Sequence, residues 1–357
     1  MRITIRAVAE KANTSVAAVS ATLSGRSGTI RVGEATRERI FQAAAELGYI
    51  PNPIAKSLAT GRTRTLGLML PYADAFVVQD PFCGQVLSGI MREAVDEHYN
   101  VMLYTATSGS AGEEAARQVD RRVDGVLLVM PAPDSQVFAK CEKQHIPYVS
   151  VLRVDANDPW TVNSDDFDGG FQATRHLIEL GHRRIAHLKG NPEVATTEPR
   201  ERGYRAALEQ AGLEVRQELI LQAGFDWRAG YRVTKDLLEL PEGERPSAIF
   251  ACNDLCAEGA LKALRESAIS TPDEMSVVGY DDTWHAARTD PPLTSVRMPI
   301  AEMGALAARM LIARMEGRSP EESAPVLPVS LTVRHSSGAF SPPTIRESPK
   351  APSQPSR

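Results

Sequence analysis

Residues 4–24 read Thr4-Ile-Arg-Ala-Val-Ala-Glu-Lys-Ala-Asn-Thr-Ser-Val-Ala-Ala-Val-Ser-Ala-Thr-Leu-Ser24. Thr4 is placed to cap a helix running to Lys11, with Ile5, Val8 and Ala9 on one face. Ala12-Asn13-Thr14 makes a tight turn. Ser15 then caps a second helix through Leu23, which buries Val19 and Leu23. Two short helices, rich in small residues and three residues apart, form the helix-turn-helix pattern. In that pattern the second helix enters the major groove of DNA by its N-terminal end. Ala9 falls where the two helices cross, and a large side chain there would separate them.

Working outward, a glycine-rich loop spans Gly25 to Gly33, and a third helix runs from Glu34 to Leu47 with Ile40, Ala44 and Leu47 inward. Gly48 stops it as a C′ residue. Three helices in fifty residues can close a small core. Asn52 can cap one more short helix, with Pro53 at its first position and Gly61 as its stop. At about eight residues that helix is marginal alone. A segment that folds only on a partner is a natural switch.

The whole chain has 357 residues, too many for one ordinary core, so two or three domains are expected. Hydrophobic content of 43% and charged content of 24% fit a soluble globular protein. The longest apolar runs, such as Val126–Met130, fall far short of the ~20 residues a bilayer span needs. Met1-Arg2-Ile3-Thr4 opens no hydrophobic signal core, so a cytoplasmic location is expected. Cys83, Cys141, Cys252 and Cys256 are sparse enough for a reducing compartment. No paired His or Cys with ligand spacing accompanies Cys252 and Cys256, so they read as buried apolar residues and no metal or cofactor is expected.

Charge is uneven. Residues 1–65 hold ten Lys/Arg against four Asp/Glu, a surplus of six positive charges. The remainder holds thirty against forty-one, a surplus of eleven negative charges. A basic head on an acidic body fits a polyanion-binding head, and it also fits a solvated charged face.

The combination of Val8-Ala9-Glu10, Val19-Ser20, Thr36–Ile40, Ala45–Asn52 and Ala55-Lys-Ser-Leu58 resembles the lac and galactose repressor family of bacterial transcription regulators, and the resemblance extends to about Arg334. It implies that Thr4, Arg6, Ser15, Val16, Ala17, Ser20 and Ala21 face DNA. The loop at 25–33 adds Arg26 and Arg31, which read as phosphate contacts or as part of a solvated loop. The resemblance also implies a hinge helix over 53–60 that, paired with its dimer mate, enters the minor groove at the operator centre, with Asn52, Ala55, Lys56 and Leu58 at the DNA. Leu58 falls on the wedge position, where an apolar side chain opens a base step and bends the duplex. Without the resemblance Leu58 reads as a small-core leucine. The sequence departs from the family at Val16, Ala17 and Ala21, where the family carries polar residues and an arginine. These three offer bases only apolar surface, for instance to thymine methyls. Specificity then leans on Arg6, the hinge and DNA shape. Hydroxyls of Thr4, Ser15 and Ser20 can hold phosphates.

After a linker at 62–65, strand and helix patterns alternate in two similar units. Strands are expected at 66–70, 101–105, 125–130, 148–151, 184–188, 219–222, 248–251, 276–280 and 326–333. Helices are expected at 83–98, 111–121, 134–144, 167–180, 199–211, 228–239, 254–267 and 300–316. The fold class is therefore α/β: an all-α head and hinge, then two lobes of doubly wound parallel sheet. The resemblance implies the fold of periplasmic sugar-binding proteins. The expected divisions are a head at 1–50, hinge and linker at 51–64, and a body at 65–334. The first lobe takes 65–162 and 295–320, the second takes 163–294 and 321–334, and a disordered tail takes 335–357.

Ligands of such folds sit between lobes, at the carboxyl ends of strands. Asn253-Asp254 and Asp281-Asp282 each follow a strand, and Arg200 precedes Gly203-Tyr204 in an Arg-x-x-Gly-aromatic pattern. The resemblance implies effector contacts from Arg200, Asn253 and Asp281, stacking by Phe225, a cleft contribution from Phe82, and a contact from Asp165. Trp227 competes with Phe225. Asp254 and Asp282 also suit caps of the helices that follow them. Leu152 stands where the family often has an aspartate, which points away from a simple galactoside-like effector.

The expectation is a homodimeric, non-enzymatic DNA-binding regulator, a repressor, switched by a small carbohydrate effector. The alternative is a purine- or other metabolite-responsive regulator of the same fold. A pure solute-binding protein would have a signal peptide and no basic head. An enzyme would be expected to show a Gly-x-Gly-x-x-Gly turn, a phosphate loop or a Gly-x-Ser-x-Gly elbow, and none is present. His182, opening a strand, reads as structural.

Overall fold

The structure is a computed structural model that describes residues 3–24, 31–50, 57, 61–71, 80–104, 119–132, 135–153, 158–241, 243–320 and 322–340. The hinge helix with Asn52, Ala55, Lys56 and Leu58, loop residue Arg26, most of the helix expected at 111–121, and residues 341–357 lie outside the described residues. The chain divides into two compact units, Met1–Thr65 with Asp120–Asp124, and Leu66–Val119 with Gly125–Arg357.

The first unit holds α1 (Ile5–Lys11), α2 (Val16–Ser24) and α3 (Glu34–Leu47). Their shared core is Val8, Ala9, Ala12, Ala18, Val19, Ile40, Ala43 and Ala44. Five of these eight are alanines, so the helices approach closely but bury little apolar area each. The turn between α1 and α2 places Asn13 at φ 49°, a left-handed conformation asparagine tolerates. Gly48 ends α3 at φ 63°, with its N–H and that of Tyr49 bonded back to Ala45 and Ala44. The linker is held by the Asp124 carboxylate, which accepts from Thr63 N at 2.6 Å, Thr63 Oγ1 at 2.9 Å and Arg64 N at 2.9 Å.

The second unit contains two six-stranded sheets. The first has the order β11-β5-β4-β3-β1-β2, built from β1 (Thr65–Met69), β2 (Asn100–Tyr104), β3 (Gly125–Val129), β4 (Tyr148–Val151), β5 (Thr161–Ser164) and β11 (Val326–Leu327). The second has the order β12-β10-β9-β8-β6-β7, from β6 (Ile185–Lys189), β7 (Ile220–Gln222), β8 (Ala248–Ala251), β9 (Ser276–Asp281), β10 (Thr294–Arg297) and β12 (Ser330–Thr332). β10 and β12 pair antiparallel, whereas the central pairs of both sheets are parallel. The central strands are continuous apolar runs, as strands covered on both faces require. Helices α4 (Pro81–Asp96) and α10 (Ile300–Met315) pack together, with α10 on β3, β4 and β5. Helix α5 (Gln136–Gln144) leads into β4. Helix α6 (Asp166–Glu179) pairs with α7 (Thr197–Gln210), and α8 (Trp227–Leu238) with α9 (Asp254–Glu266).

The lobe borders differ from those expected. The chain leaves the first sheet after β5, returns after β10, and crosses again between β11 and β12. All of Thr161–Ser164 therefore lies in the first sheet, all of Thr294–Arg297 in the second, and Val326–Leu327 in the first. The single strand expected at 326–333 is two strands, separated at Pro328, which has no N–H to give a ladder. The tail does not begin at 335. Ser336 is fully buried, donates to Val277 O at 2.6 Å and accepts from Thr294 N at 2.8 Å. Phe340 N bonds to Leu180 O, and its ring meets His182 edge-on. His182 in turn bonds Ser247 and Ser276, the structural role expected of it. No described helix is long and apolar enough to cross a membrane.

Candidate functional site

The candidate residues fall into two groups, one in each unit. In the head, Thr4 and Ser15 do cap their helices, accepting from Ala7 N at 3.4 Å and Ala18 N at 3.1 Å. Capping occupies an oxygen lone pair and leaves each hydroxyl hydrogen able to donate outward. Thr4, Arg6, Ser15, Val16, Ala17 and Ser20 are exposed, and Ala21 is half-buried. Val16 is 41% exposed at the first position of α2, an apolar side chain with no core to enter. The outward face of α2's first turn is thus Val16, Ala17 and Ser20, backed by the packed Ala18 and Val19.

In the second unit a narrow cleft of about 20 Å³ is lined by Asp80, Phe82, Met130, Leu152, Thr196, Arg200, Phe225, Asn253 and Asp281. This is far below the ~300–1,000 Å³ of a drug-sized ligand site, so a ligand enters only if the walls part. Five of the six residues expected at the effector meet here: Phe82, Arg200, Phe225, Asn253 and Asp281. Asp165 is not among the lining residues. Its carboxylate caps α6 by accepting from Asp168 N at 2.9 Å, and the neighbouring Asp166 is the one that reaches Arg200. In a run as acidic as Asp165-Asp166-Phe167-Asp168, sequence pattern cannot choose the inward carboxylate.

Arg200 is 3% exposed. Its Nε donates to Asp166 Oδ1 at 2.8 Å, a terminal nitrogen donates to Cys252 O at 2.5 Å, and the guanidinium lies 3.6 Å from the Tyr280 ring centroid. Burial alone would lower its pKa, but Asp166, Tyr280 and Asp281 outweigh that and hold it above the usual arginine range. The Arg-x-x-Gly-aromatic pattern has a packing cause. A Cβ on Gly203 would run into Phe167 O, and one on Gly170 into Arg200 O, so α6 and α7 can cross closely enough for Asp166 to meet Arg200.

Asn253 caps α9, accepting from Cys256 N at 2.8 Å, while its amide donates to Phe225 O at 3.0 Å. Phe225 faces the cleft, and a Cβ on Gly190 would occupy its ring. Trp227 is 39% exposed and is not among the lining residues, so of these two aromatics Phe225 is the one at the cleft. Asp281 ends β9 at φ 101° and is 6% exposed. Burial raises its pKa well above the carboxylate range, against the lowering effect of Arg200. No hydrogen bond to its carboxylate forms among the described residues, which leaves it able to accept from a ligand. Asp80 caps α4 through Phe82 N at 2.9 Å, and burial pushes its pKa up.

Asp254 and Asp282 do not cap helices. Asp254 accepts from Thr283 N at 2.8 Å, Thr283 Oγ1 at 3.1 Å and Ser295 Oγ at 2.5 Å, tying β9's exit to β10. Complete burial pushes its carboxyl up to about 7. Asp282 pairs with Arg334 at 2.6 Å and accepts from Thr332 at 2.9 Å. Asp80, Met130 and Thr196 were missed as cleft residues. The signal for Asp80 was its Asp-Pro-Phe cap sequence; nothing local marked the other two. All four cysteines are buried free thiols.

Residues 4–52 match bacterial regulatory proteins of the lacI family, and residues 174–337 match a periplasmic binding protein-like domain. The chain is 34% identical over 339 residues to the HTH-type transcriptional regulator CelR of Thermobifida fusca, covering 94% of this chain and 98% of that protein. The chain belongs to the LacI family. It is a DNA-binding transcriptional regulator and not an enzyme. A second LacI-family relative, the HTH-type transcriptional repressor PurR of Erwinia tasmaniensis, is 32% identical over 325 residues, covering 89% of this chain and 92% of that protein. Among solved LacI-family structures, the CelR–cellobiose complex superposes with a TM-score of 0.72 at 33% identity, over 94% of this chain and 100% of that one. The lac repressor dimer bound to operator and the anti-inducer ONPF gives a TM-score of 0.83 at 26% identity, over 95% and 100%.

Proposed function

We propose that this LacI-family chain is a homodimeric repressor whose grip on a pseudo-palindromic operator is switched by a small carbohydrate in the cleft. The observation that carries the effector reading is the polar wall of Arg200, Asn253 and Asp281, with Phe225 beside it. A buried guanidinium and an unbonded carboxylate suit vicinal hydroxyls, which donate and accept at once, and an aromatic ring suits a sugar's C–H face. The similarity to CelR, solved with cellobiose, supports the same reading. On the DNA side, Thr4, Arg6, Ser15, Val16, Ala17, Ser20, Ala21 and Arg26 dock the head, while Asn52, Ala55, Lys56 and Leu58 act from the hinge in the minor groove. The effector acts only through its different affinity for the DNA-bound and free states.

A purine is the second reading. Phe82 and Phe225 both line the cleft and can stack on a planar base, and several PurR repressors are relatives. A thermal-shift screen of the full-length protein against sugars, sugar acids and purines tests both readings. The carbohydrate reading requires a sugar that raises the melting temperature and changes affinity for a duplex selected by the protein from a random pool. A response to purines alone would overturn it.

A further inference from the structure

The charges lining the cleft do not balance. Its polar lining is Asp80, Arg200 and Asp281, with the neutral Thr196 and Asn253. Arg200 is the one cation among these residues, and Asp166 already balances it at 2.8 Å. Arg153, next to the lining residue Leu152, is paired with Asp158 at 2.8 Å. Asp281 is 6% exposed, and no donor among the described residues bonds its carboxylate. Asp80 accepts from Phe82 N at 2.9 Å and from Cys83, neither of them a cation. Burial pushes both carboxyls up, and the charges of Asp254 and Asp80 push Asp281 further.

The neighbouring stretches of sequence do not redress this. Residues 72–79, 133–134 and 154–157 come after β1, β3 and β4 in the chain, and they contain Asp74, Asp134 and Asp155 with no Lys, Arg or His. Residues 105–118, after β2, contain Glu113 and Glu114 against Arg117. By composition these stretches add acid and no surplus of cations.

The two carboxylates also belong to opposite walls. Asp80 caps α4, which packs with α10 on the first sheet, and Asp281 ends β9 in the second. A neutral ligand between the walls leaves two like charges without a counter-ion or obliges them to take up protons, and an anion adds a third like charge. A primary ammonium balances them, and its three N–H donors allow it to bond both carboxylates at once. Net charge acts whichever way round the rest of the ligand sits.

We infer that the effector carries a positive charge and, on the carbohydrate reading above, is an amino sugar whose ammonium sits between Asp80 and Asp281. The inference rests on that reading and narrows its ligand class. Calorimetric titration of the full-length protein near neutral pH, where a primary amine is mostly charged, tests it with matched series. These are D-glucosamine, N-acetyl-D-glucosamine and D-glucose, and the same three forms of galactose and of mannose. D-glucuronate and D-galacturonate are the anionic members. In whichever series binds, the free amine is expected to bind at least about tenfold tighter than both its N-acetyl and its hydroxyl counterpart (about 1.4 kcal/mol), and the uronates to give no heat. Asp80→Asn keeps a capping side chain and removes one carboxylate, so it should bring the ratio toward one. The wild-type ratio decides the matter even if that variant fails to fold. A ratio near one, or one favouring an uncharged member, overturns the inference while leaving the carbohydrate reading standing. An amine preference undiminished in Asp80→Asn overturns the bridge between the two carboxylates. No heat from any member overturns the inference as well, and the wider thermal-shift screen then decides whether the carbohydrate reading falls with it.

Discussion

In the head, the side chains facing outward at the start of α2 are Val16, Ala17 and Ser20, set on a core of small residues. In the cleft, Arg200, Asn253 and Asp281 are all nearly buried, and the first two already hold protein partners. The head leaves these side chains solvated, so they add little to the stability of the head itself. The cleft holds its polar groups in place before any ligand arrives, which costs desolvation and makes each group depend on its partner. A substitution at the head's surface should therefore change DNA binding without unfolding anything. A substitution in the cleft should change both binding and stability.

The strongest challenge to this contrast is Arg200→Ala. Removing the guanidinium leaves the Asp166 carboxylate buried without its cation, a loss of about 3–5 kcal/mol. Urea unfolding of the second unit should shift to a lower midpoint, and any effector-induced thermal shift should vanish. Retained stability together with a retained effector response would show that the pair is not what organises the cleft.

A smaller effect is expected from pH. Asp254 titrates near 7 when folded and near 3.8 when unfolded, so between those values the folded state holds more protons. Stability gained from the protonated form is complete below about 3.8 and is lost as pH rises through about 7. Calorimetry of the second unit should show its stability falling across that window, and Asp254→Asn should flatten the slope. Residues 1–65 contain no histidine, so the head's transition should be comparatively flat from pH 5 to 7. An unchanged slope in Asp254→Asn would assign the effect to other groups.

The smallest effect is expected in the head. Ser15→Ala removes the α2 cap and should cost about 1 kcal/mol of head stability. Circular dichroism melts of the isolated head would register it, with the second unit untouched. A loss several times larger would mean that Ser15 does more than cap.

How much of this was legible in sequence follows the same division. The head's helices are set by local signals, namely the Thr4 and Ser15 caps and the Gly48 stop, and they were readable to within a residue or two. In the second unit the long central strands were readable as apolar runs. The short strands were not: Thr161–Ser164, Thr294–Arg297 and the division at Pro328 are decided by pairing with residues far away in the chain. The cleft residues at the carboxyl ends of strands, Asn253 just after β8 and Asp281 at the end of β9, were accessible to reasoning because topology fixes where strand ends converge. The choice of Asp166 over Asp165 was not, because it depends on which carboxylate α6 turns toward Arg200. Met130 and Leu152 reach the cleft through a left-handed backbone that neither residue type advertises.

The central claim is that DNA binding belongs to the head and hinge, and effector binding to the second unit. The most direct test compares the full-length protein with a chain of residues 62–357. Fluorescence anisotropy on the selected duplex is paired with calorimetric titration of the effector sugar. The account predicts that the shortened protein loses operator affinity and binds the sugar with an unchanged Kd. Operator affinity retained without residues 1–61, or sugar binding lost with them, would contradict it.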